Sequence, residues 1–352
     1  MAAPFDATSV LASAPAVSAL QGLAAPLRRH GYQNQPLEGP GGPAMASAVA
    51  LGRPAPRAAL DEAAWPGAMD ALAAAGAGDV AGDHFLPRFA LFGIGDVVVV
   101  VPADGADDPG RIYFGRDSLW LADLATRVAP ARTRRAADLG TGAGTVAALL
   151  GRRYDTVVGT ELLGRTAACA ALTMELNRRA DGRLPATVCV TDVAAGLERG
   201  SFDLVAANPP WVPDEPGAPV GILRTFADGG PTGFELPRRF AMEAASLLAP
   251  GGVAVVLALD VVWAGGQRPL AALARGLQRL RYEVAVTPTE ASEVWAELEA
   301  GFEHRFPDVE AVTHVALLVH RPEIAGAPTP GSPAAVADAR SGVVAVPAAS
   351  LA

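Results

Sequence analysis

From Ala136 onward, short apolar runs alternate with segments of helical period, an alternation that confines this part of the chain to a mainly parallel α/β sheet. The expected strands are Ala136–Leu139, Thr156–Thr160, Thr187–Thr191, Leu204–Ala207, Val253–Leu259, Glu283–Val286 and His314–Val319. Helices are expected between them at Thr145–Arg153, Arg165–Arg179, Phe234–Leu248 and Leu270–Leu280, with one more at Glu290–Arg305 before the last strand. Pro250-Gly251-Gly252 reads as a helix stop ahead of a strand. Seven strands with interleaved helices predict one doubly wound, seven-stranded Rossmann-like sheet.

The chain up to Arg135 has a different texture. Leu20, Leu23 and Leu27 repeat at helical spacing within Val17–Arg29, residues 34–58 read as loop or short helix, and Leu60–Ala75 reads as helix. Phe85–Phe92 and Asp96–Val101 read as two strands around a tight Gly93-Ile94-Gly95 turn, followed by a helix over Asp117–Val128. A smaller, mainly helical N-terminal accessory domain ending in a β-hairpin is therefore expected over 1–110, and the α/β domain over 111–322. Residues 323–352, rich in Ala and Pro, are expected to be a disordered tail.

Composition excludes several classes. The 352 residues carry a formal net charge of −9, which argues against a surface built to track nucleic-acid phosphates. All 28 basic residues are Arg, as a GC-rich coding sequence would produce, and no basic stripe is interleaved with aromatics. Two cysteines, Cys169 and Cys189, cannot staple a secreted scaffold, so a reduced cytoplasmic protein is expected. The five histidines are scattered, so no metal site is expected, and no run is apolar enough to predict a signal peptide or a membrane span.

The first strand of the α/β region runs into Asp138-Leu139-Gly140-Thr141-Gly142-Ala143-Gly144, and a helix follows. Glycines there allow a sharp turn and a close ligand approach, and the helix start leaves N–H groups for a ligand. Glu161 closes the second strand at about the distance from Gly140 where a carboxylate can accept from a ribose diol. A dinucleotide would fit this pattern, but a carboxylate at Asp138 would face its pyrophosphate. Asp138 suits a cationic ligand or one with an ammonium, and S-adenosyl-L-methionine (SAM) is both.

The fourth strand ends in Asn208-Pro209-Pro210-Trp211. Two prolines fix an extended backbone and remove two N–H donors, leaving a row of acceptors: the Asn208 side-chain oxygen and the carbonyls of Asn208 and Pro209. Trp211 adds a flat face beside them. Such a site holds a planar group bearing N–H bonds, such as an amide, an aniline or a nucleobase amine.

At these motifs the sequence resembles the class I SAM-dependent methyltransferases of the NPP(Y/F/W) group. That group includes the glutamine N5-methyltransferases of release factors, rRNA and tRNA base N-methyltransferases, and DNA amino-methyltransferases. The resemblance spans roughly 111–322 and rests on residues 138–144, Glu161, Thr191-Asp192, residues 208–211 and Asp228-Gly229-Gly230-Pro231-Thr232-Gly233. It implies that Asp138, Gly140, Thr141, Gly142 and Gly144 surround the methionine moiety, with Glu161 and Leu162 at the ribose. It further implies that Asp192 accepts from the adenine amine with Val193 packed on the ring, that Asn208, Pro209 and Pro210 present the nucleophilic nitrogen, and that Trp211 stacks on the acceptor. Trp replaces the commoner Tyr or Phe, which suggests a different acceptor shape. Arg116, Asp117 and Ser118 lie where the family covers its SAM pocket, although a helix cap is an equal reading. Residues 212–232, including Asp228, are expected to form a loop over the acceptor, and Trp263 either lines that cavity or belongs to the core.

The implied chemistry is methyl transfer from SAM, leaving S-adenosyl-L-homocysteine. A nitrogen of a small molecule or peptide, such as a natural product, is put first as acceptor. An RNA base amine or a protein glutamine is the alternative, and a non-catalytic SAM-binding protein the second alternative. The N-terminal domain expected over 1–110, winged-helix-like in its order of elements, is expected to select the acceptor.

Overall fold

Every residue of the apolar run Val253–Leu259 is buried, as a strand covered on both faces must be. In the computed structural model, residues 7–29, 54–63, 66–102, 112, 114–213, 228–289 and 306–323 are described. The chain begins with α1 (Ala7–Leu11), α2 (Ala14–Arg29), β1 (Ala55–Pro56), α3 (Arg57–Ala63) and α4 (Ala68–Ala74). Next come β2 (Gly78–Ala81), β3 (His84–Pro87), β4 (Phe89–Ile94), β5 (Val97–Pro102) and α5 (Arg116–Val128). The α/β progression is β6 (Arg135–Leu139), α6 (Thr145–Leu150), β7 (Thr156–Glu161), α7 (Gly164–Leu176), β8 (Thr187–Val190) and β9 (Phe202–Ala207). It ends with α8 (Glu235–Leu247), β10 (Leu248–Trp263), α9 (Pro269–Arg279), β11 (Glu283–Pro288) and β12 (Val309–His320).

All seven expected strands form, in one mainly parallel sheet ordered β11-β12-β10-β9-β6-β7-β8. Only β12 runs antiparallel, between β10 and β11. Chain order reverses between β6 and β9, which pair in parallel from Ala136↔Leu204 to Leu139↔Ala207. At such a switch point the carboxyl ends of the strands bound a crevice where α/β proteins bind ligands.

Two compact units divide the chain: Met1–Leu119 with Thr141–Asp192, and Trp120–Gly140 with Val193–Ala352. In the first, Gly95 at φ 57° makes the turn of the β4–β5 hairpin, whose register starts at Ile94↔Val97. Side chains of α7 and its C-terminal end satisfy the hairpin's β5 strand. Fully buried Asn177 accepts from Val98 N (2.9 Å) and donates to Val98 O (2.6 Å), and Thr173 Oγ1 accepts from Val100 N (3.0 Å). In the second unit, α8 buries Pro237, Phe240, Ala241, Ala244 and Ala245, the spacing of a single amphipathic stripe.

Several expected boundaries shift for local reasons. Phe85–Phe92 is not one strand, because it breaks at Arg88 into β3, which joins a β1-β3-β2 sheet, and β4, which joins the hairpin. Arg88 sits at the break, with its guanidinium on Asp79 (2.6 and 3.2 Å). Leu60–Ala75 is likewise divided into α3 and α4, with Gly67 at φ 84° capping the second. Pro250-Gly251-Gly252 lies inside β10 as an irregularity between Leu248↔Phe202 and Val253↔Leu204, not ahead of it. Strands β10 and β12 also run past the sheet. Pairing of β10 with β9 stops at Val256, yet β10 pairs with β12 as far as Trp263↔Val309, so the two continue as a ribbon. The expected helix at Glu290–Arg305, most of 34–58, residues 214–227 and the tail from 324 onward lie outside the described residues.

Candidate functional site

In the first unit the glycine loop is stitched to β7. Thr141 N donates to Thr160 O (2.7 Å), Gly142 N to Glu161 Oε2 (3.1 Å) and Gly144 N to Thr141 O (2.8 Å). These N–H groups therefore hold the loop and are not presented to a phosphate, and α6 is only six residues long. Gly144, at φ 83°, leaves little room for a side chain, since a Cβ would meet the flexible Met174 Cε at 2.8 Å and Ala170 Cα at 3.2 Å. Gly142 differs: its φ of 55° favours glycine, but a Cβ would meet nothing within 4 Å.

Glu161 is clamped at both oxygens, because its Oε1 accepts from Leu163 N at 3.1 Å while Oε2 takes Gly142 N. Burial raises its pKa above the ordinary value, against the pull of backbone N–H groups from Leu163, Gly142 and Leu162. The carboxylate is aimed by the backbone and retains lone pairs for ligand hydroxyls. Leu162 beside it is 61% exposed. Asp192 is exposed at the start of a turn, followed by buried Val193 at φ 51°. Arg116 is exposed at the start of α5, Asp117 is buried, and Asp117 Oδ1 accepts from Ser118 N (2.8 Å).

The second unit places buried Asp138 at the end of β6, opposite Ala206 of β9, two residues before Asn208. The side-chain oxygen of Asn208 is itself buried, as is Pro209, while Pro210 and Trp211 are half-buried. Phe240 of α8 lies under the turn, where its ring would touch a Cβ on Gly140 at 3.1 Å.

Two motifs far apart in sequence meet here. Val212 bridges Asp228, and Gly229 N donates to Val212 O (2.8 Å). A Cβ on Gly229 would stand 2.6 Å from Trp211 Cα, and one on Gly233 would stand 2.4 Å from Trp211 O, so the 228–233 turn lies directly on the Trp211 backbone. The turn is held by Asp228 Oδ1, which accepts from Gly230 N (2.8 Å), and by Glu235, which accepts from Thr232 N (3.1 Å), Thr232 Oγ1 (2.9 Å) and Phe234 N (3.2 Å).

The Trp211 indole packs on a cluster of Leu259, Val261 and Val312. Trp263, Phe306 and Val309 pack on the same cluster, so Trp263 is partly buried in the apolar group that carries Trp211. Sequence reasoning missed His314, whose ring centroid lies 5.4 Å from that of Trp211, tilted by 54°. Its only signal was an inward position on β12. Burial pushes its pKa down to about 3, so it is neutral near pH 7. Glu235 and Phe240 were missed as well, since the expected helix counted them only as helical positions. Among the described residues no group of three or more His, Cys, Asp or Glu could hold a metal ion, and no helix is long and apolar enough to cross a membrane.

Comparison with known proteins shows what these features resemble. Residues 118–262 match the methyltransferase small domain family. The release factor glutamine methyltransferase of Caulobacter vibrioides is 35% identical over 130 residues, covering 34% of this chain and 43% of that protein. Its counterpart in Moorella thermoacetica is 32% identical over 142 residues, covering 38% and 48%. The chain thus spans less than half the length of these curated relatives. Among solved structures, M. jannaschii TYW2 in complex with AdoMet aligns at 10% identity and a TM-score of 0.44, covering 67% of this chain and 87% of that one, too loose a likeness to bear on function.

Proposed function

We propose that this chain, which carries a class I SAM-dependent methyltransferase domain similar to those of glutamine N5-methyltransferases, transfers a methyl group to the side-chain amide nitrogen of a protein glutamine. The acceptor row of Asn208-Pro209-Pro210-Trp211 at the β9 end of the switch point carries this reading. Relatives named for glutamine methylation support the macromolecular alternative over the small molecule or peptide that the sequence put first. The surroundings of Trp211 agree: Leu259, Val261, Val312, Trp263 and Phe306 are apolar and His314 is neutral, which suits an uncharged amide better than a phosphate-bearing RNA.

The half-sites fit SAM better than a dinucleotide. The loop N–H groups of Thr141, Gly142 and Gly144 are already bonded, and buried Asp138 would oppose a pyrophosphate but attract an ammonium or sulfonium. In this reading Asp138, Gly140, Thr141, Gly142 and Gly144 border the methionine end, Glu161 and Leu162 the ribose, and Asp192 and Val193 the adenine. Asp228, bridged to Val212 next to Trp211, stands at the acceptor side, and the N-terminal residues select the protein substrate.

SAM supplies a methyl group made electrophilic by its sulfonium. The Asn208 side-chain oxygen and the Pro209 carbonyl accept the two amide N–H bonds, which turns the nitrogen lone pair toward the methyl. These acceptors would stabilise the positive charge that grows on the amide nitrogen as it takes the methyl group from the sulfonium, which would leave as the thioether. Holding the amide in line with the methyl would supply most of the remaining acceleration. The proton leaves to solvent after transfer. His314, with its pKa near 3, is too weak a base to take it first.

Incubation with methyl-labelled SAM and three acceptor pools, namely a bacterial release factor, total RNA and a small-molecule extract, tests the proposal. Label recovered as N5-methylglutamine from the protein is expected. Label confined to RNA or small molecules would overturn it, and SAM binding with no label in any pool would favour the non-catalytic alternative.

Glu161 provides a separate test of cofactor binding. Its ionised form accepts the ribose hydroxyls, and its pKa is raised, so SAM affinity should fall as pH drops through that raised value, earlier than for an ordinary glutamate. Glu161→Gln should weaken SAM binding about 10–100-fold at pH 7, the worth of hydrogen bonds to a charged acceptor, and should flatten this acid limb. Calorimetry across pH 4–8 reads both; an unchanged Kd in the variant would remove Glu161 from the cofactor site.

A further inference from the structure

We propose that His314, clamped by Thr289, is the positioning residue that sets the tilt of the Trp211 indole, and so the face on which the acceptor stacks. The assignment of that face to the acceptor rests on the function proposed above; the control of the indole does not.

The ribbon beyond the sheet places the parts. His314 of β12 pairs with Leu259 of β10, and Val312 pairs with Val261. Cross-strand partners and alternate residues share a face, so Leu259, Val261, Trp263, Val312 and His314 form one surface. It is the surface on which Trp211 packs.

Thr289, one residue past β11, holds His314 through three contacts. Thr289 N donates to His314 O (3.0 Å), and Thr289 Oγ1 lies 3.2 Å from that same oxygen and 3.0 Å from Nδ1. One hydroxyl can donate to the carbonyl and accept from Nδ1–H, which fixes both the ring plane and its tautomer. On the other side of Trp211, the 228–233 turn pins the backbone through Gly229 and Gly233. The backbone is held by the turn, and the indole packs on Leu259, Val261 and Val312 with the imidazole tilted against it. Trp211 and His314 are remote in sequence; the pairing of β9 with β10, the register of β10 with β12 and the packing of Trp211 on Leu259, Val261 and Val312 join them.

Two variants test this independently. His314→Phe keeps an aromatic ring but loses the bond to Thr289, and Thr289→Val removes the hydroxyl while keeping its N–H on His314 O. The Trp211 contribution to fluorescence is isolated by subtracting the spectrum of each variant that also carries Trp211→Phe. A shifted Trp211 emission is expected in both variants. An acceptor KM raised about 3–10-fold is expected too, the scale of one aromatic pair, with kcat less affected and the Kd for SAM unchanged. A Trp211 emission identical to that of the parent chain in a folded variant would overturn the proposal, and so would a weakened SAM Kd with no change in acceptor KM. If no acceptor is methylated, the functional reading fails while the emission still decides whether His314 positions Trp211.

Discussion

Replacing Asn208 with alanine should lower methyl transfer by about 10²–10³-fold, the effect of removing one preorganised group that stabilises developing charge. Asn208 follows β9 directly, and its side-chain oxygen is buried at the end of a strand whose neighbours Val205, Ala206 and Ala207 are fully enclosed. The rigid Pro209-Pro210 pair cannot move another acceptor into its place, since both φ angles are fixed and neither proline carries an N–H. SAM should bind the variant with little change, because the groups assigned to the cofactor lie at Asp138, residues 140–144, Glu161 and Asp192. Single-turnover transfer together with calorimetry separates the two effects. Full turnover in the variant would remove Asn208 from the chemistry.

The second large effect is expected at Gly233, replaced by alanine. A Cβ there would lie 2.4 Å from the carbonyl oxygen of Trp211 and 3.0 Å from the Pro213 ring, and the φ of 75° adds strain. Both obstacles are backbone or ring atoms, so the 228–233 turn must leave Trp211 for the methyl to fit. Displacing that turn opens the Val212–Asp228 bridge and the Gly229 N–Val212 O bond. The expected result is a destabilisation of about 2–4 kcal/mol in thermal unfolding, with acceptor turnover lost even where the variant stays folded. Gly142→Ala is the control. It carries the left-handed backbone cost of about 1–2 kcal/mol without a clash, because nothing lies within 4 Å. Equal losses in the two variants would show that backbone strain alone, and not the contact with Trp211, requires glycine at 233.

Much of the fold was legible because it is encoded locally. The apolar runs Leu204–Ala207 of β9 and Val253–Leu259 of β10 are continuous, as strands covered on both faces must be, and α8 declares its buried stripe by spacing alone. The glycines of residues 140–144 and the acid at Glu161 were identified by their place after a strand and before a helix. What they do was only partly legible. The loop N–H groups expected to face a ligand bond instead to Thr160, Glu161 and Thr141, a use that depends on where β7 lies.

The break at Arg88, the three-stranded β1-β3-β2 sheet and the ribbon of β10 with β12 were not legible either. A strand's length follows from what pairs with it, and its partner can be remote in sequence, as His320 is from Val253. The sequence alone determined the α/β class, the seven strands and the residue types of the acceptor row, because hydrophobic period, turn glycines and proline rigidity act over a few bonds. Only the tertiary structure decided that the 228–233 turn lies on Trp211, that Glu161 is clamped at both oxygens, and that a neutral histidine stands beside the indole. Those contacts exist only once distant segments share a register and exclude water, and no local pattern of residues specifies that.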